Sequence, residues 1–84
     1  MEQVKNIQFT ILLKAGGHLK EFNFRKSSSL SGVLFMVDVA ELNGSRQYLM
    51  FRQENDQWVL KTMGVPDWLT EVLPRIREAI DQFS

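Results

Sequence analysis

The chain has 84 residues, no cysteine, 44% hydrophobic residues, and ten basic side chains balanced by ten acidic ones. That length holds one small core and no second domain, and the hydrophobic fraction excludes disorder as the default state. Without cysteine there is no disulfide framework, thiol nucleophile or cysteine metal site, and zero net charge removes the simplest electrostatic case for nucleic acid or membrane.

The opening Met1–Asn6 lacks the basic head and apolar run of a signal peptide. No apolar stretch approaches the roughly 20 residues of a membrane span. Together these predict a soluble cytoplasmic protein without membrane contact.

Ile7, Phe9, Ile11 and Leu13 alternate with Gln8, Thr10, Leu12 and Lys14, which predicts a half-buried strand over about 5–14. Gly16-Gly17 can supply the two positive φ angles of a tight hairpin turn. A two-residue loop pairs Ile11 with Phe22 and Phe9 with Phe24, so the second strand, 19–26, puts Phe22 and Phe24 on the face of Phe9 and Ile11. We call this the core face.

Ser27–Gly32 reads as a polar connection with Leu30 tucked under it, too short for a crossover helix, so the next strand is antiparallel. Residues 33–41 follow as the central strand. Its apolar run, VLFMVDVA, is broken only by Asp38, as expected of a strand buried on both faces. A three-residue loop, Leu42-Asn43-Gly44, with Gly44 left-handed in a bulge, pairs Val37 with Leu49 and Phe35 with Phe51. A two-residue Asn-Gly turn would instead send Leu49 and Phe51 to the opposite face. The fourth strand is 46–53. After Glu54–Gln57, a loop of two or four residues pairs Phe51 with Leu60 and Gln53 with Trp58, giving a fifth strand over 58–63.

Asp67 opens a helix over 67–83, as a side-chain cap or a first-turn acid. Leu69, Val72, Leu73, Ile76, Ile80 and Phe83 form one apolar stripe. Pro74 removes a helical hydrogen bond, so a kink near Thr70–Leu73 or a fresh start at Pro74 is expected. The predicted fold is a two-layer α+β domain spanning 1–84: a five-stranded antiparallel meander with one C-terminal helix packed on the core face.

The other face then carries Leu34, Met36, Asp38, Tyr48, Met50, Arg52, Val59, Lys61 and Met63, with Met36 across from Met50. An apolar patch rimmed by Arg25, Arg46, Arg52 and Lys61 is the composition of an interaction surface, and methionine repacks readily against a partner. Asp38 has two readings: a partner-facing hydrogen bonder near Tyr48, or an ion pair with Arg25, Arg52 or Lys61. No second acid or histidine is expected beside it for catalysis. His18, the single histidine, sits at a hairpin turn, and no cofactor or metal is implied. Trp58 and Trp68 both fall where core packing accounts for them. The expected function is a non-enzymatic module that forms a homodimer or binds a protein partner through this face.

The order of strands followed by a helix, with the local run Lys20-Glu21-Phe22-Asn23-Phe24, resembles the β-then-α repeat of Whirly, PC4 and PUR-type proteins. The fifth strand departs from their usual four. The resemblance implies an alternative role in binding single-stranded nucleic acid on the curved sheet. The contacts would come from Lys14, Arg25, Arg46, Tyr48, Arg52 and Lys61, with an aromatic stacking beside cations. Zero net charge ranks it second, since lysine and arginine carry phosphate binding.

Overall fold

The computed structural model describes residues 7–30, 32–41 and 43–83. Its five strands are β1 Gln8–Ala15, β2 His18–Ser29, β3 Gly32–Ala40, β4 Arg46–Glu54 and β5 Gln57–Leu60, followed by helices α1 Asp67–Thr70 and α2 Leu73–Phe83. The strands form one antiparallel sheet in sequence order, curled into a half-barrel.

Turn chemistry sets the registers. Gly16 and Gly17 adopt φ of 61° and 81°, both positive as a type I′ hairpin requires. They place Ile11 opposite Phe22 and Phe9 opposite Phe24. Gly44 is left-handed at φ 90°, the Glu41 N–H donates to the Ser45 carbonyl at 2.7 Å, and Val37 faces Leu49 while Phe35 faces Phe51. The last turn is the two-residue form, Asn55-Asp56, with both φ angles positive at 51° and 64°. It pairs Gln53 with Trp58 and Phe51 with Leu60. Residues 5 and 6 of the expected first strand, and Leu42 of the expected bulge loop, lie outside the described residues.

Several boundaries differ from the sequence expectation. Ser27–Ser29 are strand, not loop: Ser27 pairs with Leu34, Ser28 with Val33 and Ser29 with Gly32. The backbone gains a full ladder there, which outweighs the low strand preference of serine. Leu30 is fully exposed at the tip rather than tucked under it. β5 ends at Leu60, because the Met50 N–H donates to the Thr62 hydroxyl at 2.8 Å and the ladder closes on a side chain.

Of the two forms expected for the helical segment, the chain takes the short first turn with a fresh start beside Pro74, so α1 and α2 are separate. A continuous helix would need the Pro74 nitrogen to donate to Thr70, which it cannot, and the ring would strike that carbonyl. The chain therefore stops at Thr70, makes a tighter bond from Val72 N–H to the Leu69 carbonyl at 3.1 Å, and restarts with Pro74 in the first turn of α2. Asp67 is a first-turn acid and makes no side-chain cap.

Phe22, Phe24, Phe35, Val37, Val39, Leu49, Phe51 and Trp58 from the sheet are buried in one cluster with Leu69, Val72, Ile76, Ala79 and Ile80 from the helical segment. Fully burying each large member stabilises by about 1.5–3 kcal/mol. Phe9 stacks on Phe24 at 4.6 Å and on Phe83 at 4.1 Å, and Phe35 meets Trp58 edge-on at 5.2 Å. Trp68 is half-buried against the cluster. Among the described residues no polar or charged side chain is buried.

Candidate functional site

With a side-chain period of two, every residue beside a core-face residue points to the opposite face. The registers arrange that face in rows. One row runs Gln8, Arg25, Met36, Met50; another runs Thr10, Asn23, Asp38, Tyr48; a third runs Ser27, Leu34, Arg52, Val59. Met36 thus lies between Arg25 and Met50, and Arg52 between Leu34 and Val59. Lys61 follows β5, its N–H donating to the Met50 carbonyl at 2.8 Å, so it continues the first row.

The rows differ in chemistry. The second is a hydrogen-bonded ladder across the sheet: the Thr10 hydroxyl donates to Asn23 Oδ1 at 2.8 Å, and the Asn23 amide donates to Asp38 Oδ1 at 3.1 Å. Arg46 Nη1 donates to the same Asp38 oxygen at 2.7 Å. Asp38 therefore takes the ion-pair role, but its cation is Arg46, diagonal to it across the β3–β4 pair, not Arg25, Arg52 or Lys61. The ladder borders a shallow depression of about 500 Å³ lined also by Gln8 and Arg25.

At the far edge Lys61 meets Glu54 at 2.6 Å. That hydrogen bond lowers the Glu54 carboxyl from its ordinary value; desolvation opposes it, and the charges of Lys61 and Arg52 add to the lowering.

Between these polar groups the apolar surface is open. Tyr48 is 58% exposed, Met50 36% and Met63, past the strand end, 92%. Leu34, Met36 and Val59 are half-buried. Thus Leu34, Met36, Met50, Arg52 and Val59 form one contiguous patch with Arg25 against it. Lys14 stands apart at the hairpin end, opposite Leu19. Of the six residues expected to contact nucleic acid, Arg46 and Lys61 are each held by a carboxylate.

Alternation along β1 and β2 sets Thr10 and Asn23 on this face, but the sequence reading missed the hydrogen bonds that join them into a ladder. Their pairing follows from the Gly-Gly hairpin alone, but linking Asn23 to Asp38 needs the β2–β3 register, which the serine run concealed. His18 is exposed at the start of β2, beside a second depression with Lys20, Glu41 and Trp68, where the Lys20 ammonium sits 4.6 Å over the indole. Among the described residues no cluster of His, Cys, Asp and Glu could hold a metal ion, and no helix is long and apolar enough to cross a membrane.

Comparison of the chain with family models, with curated proteins and with solved structures returns no match.

Proposed function

We propose that this protein is a non-enzymatic cytoplasmic interaction module that uses the open sheet face for self-association or for binding a protein partner. In this reading the C-terminal helices form the layer that covers the core face and leave the other free. The observation that carries it is the contiguous patch around the Met36–Met50 pair, with Arg25, Leu34, Arg52 and Val59 against it and Tyr48 beside it. Methionine, arginine and tyrosine are enriched in interface centres, and flexible thioethers adapt to a partner's relief. A small domain with a thin stability margin also gains from covering such a patch.

The test is solution mass by light scattering across a concentration range, for the wild type and for Met50→Glu. The expected result is a wild-type dimer that the buried charge disrupts. A wild-type dimer unchanged by Met50→Glu removes the face from self-association.

A single-stranded nucleic-acid role rests on Tyr48, exposed on a curled sheet with arginines on the same face. The pairing of Arg46 with Asp38 and Lys61 with Glu54 weakens the cationic field this would use. Fluorescence anisotropy with short oligonucleotides at low salt decides it: absence of salt-dependent binding ends that reading.

A further inference from the structure

We infer that the outer edge of β1 is a second association surface, built to take β1 of a second copy of this chain in antiparallel register. This does not rest on the open-face reading, since it concerns backbone groups along an edge and not side chains on a face.

The β1 backbone turns its polar groups alternately toward β2 and away from it. The Lys26 N–H donates to the Ile7 carbonyl at 2.8 Å, so Ile7 turns its polar groups toward β2. Alternation along the strand gives the same direction to Phe9, Ile11, Leu13 and Ala15. Gln8, Thr10, Leu12 and Lys14 therefore turn theirs outward, and β1 is the edge of the sheet. An edge of this kind is a template for another strand unless it is short, bulged, prolyl or charged. The segment Phe9–Leu13 has none of these features, and Lys14 stands at its end.

The other edge is managed differently. β5 has four residues, of which only Trp58 and Leu60 turn outward, because Lys61 bonds inward to Met50. The chain then leaves the sheet toward Pro66.

The sequence of β1 suits its own copy. Hydrogen-bonded antiparallel partners must both turn their groups toward each other. Pairing Leu12 with Thr10 of the second copy, and Lys14 with Gln8 of the second copy, uses all four outward residues. It sets no lysine opposite a lysine. The core-face pairs are then Ile11 with its own counterpart and Phe9 with Leu13, so three half-buried apolar side chains gain cover. A slip of two residues, centred on Leu12, leaves the Gln8 groups unmet. The product is one continuous sheet of two five-stranded halves about a two-fold axis at Ile11.

Cysteine scanning tests this directly, because the chain has no cysteine of its own. Non-hydrogen-bonded pairs have Cα atoms about 4.5 Å apart, within disulfide reach. Oxidised Ile11→Cys should become a covalent dimer, while Leu12→Cys and Tyr48→Cys remain uncrosslinked. Leu12→Pro removes an N–H that makes no bond to β2, so it should keep the far-UV spectrum and lose the dimer in light scattering. Should that variant fail to fold, the crosslinking comparison decides alone. A wild type that stays monomeric at high concentration overturns the proposal, as does Ile11→Cys crosslinking no faster than Tyr48→Cys. Crosslinking at Leu12→Cys instead overturns the register. A dimer that survives Leu12→Pro but is lost in Met50→Glu overturns the edge and leaves the open face standing. The opposite pattern supports the edge and removes the face from self-association.

Discussion

Phe35 and Met36 are neighbours in β3, and they open onto two surfaces made by different rules. Phe35 is fully buried and meets the edge of Trp58, in a cluster with no polar side chain among the described residues. Met36 faces Met50 across the β3–β4 pair, with Arg25 on its other side and a polar ladder one row away. The core face is uniform, and its stability comes from exclusion of water. On the open face Asp38 accepts from both Asn23 and Arg46, and Glu54 from Lys61. Many of its polar groups are thus already satisfied within the chain. Under the function proposed above, such a face would offer a partner chiefly apolar contact, which supports a protein surface over a phosphate backbone as its complement.

Two substitutions at adjacent positions should separate the faces most widely. Phe35→Ala should cost about 3–5 kcal/mol, a large share of the total stability expected of so small a domain. Met36→Ala should cost about 1 kcal/mol or less in the monomer, since that site is still partly wet. Urea unfolding of the two variants measures the contrast, and equal costs would mean that the open face is as much a core as the other. Next in size is Asp38→Ala, which strips a partner from both Asn23 and Arg46. Partial solvent access limits the expected loss to about 1 kcal/mol, read in the same titration.

Most of this division was legible because two turns carry strong local chemistry. Gly16-Gly17 and Gly44 are glycines where positive φ is required, and each fixes a register that agrees with the alternation of Phe9, Phe22, Phe35 and Leu49. Where local chemistry points away from the fold, the reading failed. Ser27–Ser29 have the composition of a loop, yet β3 offers them a ladder, and only tertiary pairing makes them strand. The partner of Asp38 was missed for a related reason. The central-strand register places Tyr48 opposite, but Arg46 lies diagonally and its long side chain reaches back. The break at Thr70 was visible in Pro74, since its missing N–H is a covalent fact.

The Asn55-Asp56 turn offers a smaller effect on the same division. Both residues hold positive φ without being glycine, a conformation that strains an L residue. Asp56→Gly should stabilise by about 0.5–1 kcal/mol, because the turn keeps its shape while losing that strain. A thermal midpoint raised by a few degrees checks it. A fall instead would mean that the Asp56 side chain contributes more to the turn than its backbone strain costs.

The smallest effect bears on whether the charges of the open face are committed within the chain. The Glu54 carboxyl is held below its ordinary range, first by the Lys61 hydrogen bond. A carboxylate whose folded value is depressed contributes stability above its unfolded value and loses it as the pH falls through the folded one. The contribution should therefore fade as the pH falls from the ordinary glutamate value through the lowered folded one, and shrink at high salt because the pair is exposed. Side-chain NMR titration of Glu54 should show its midpoint move up in Lys61→Ala. If the midpoint does not move, Lys61 is free in solution. The open face then regains a cation for an anionic partner, and one fewer of its charges is spent within the chain.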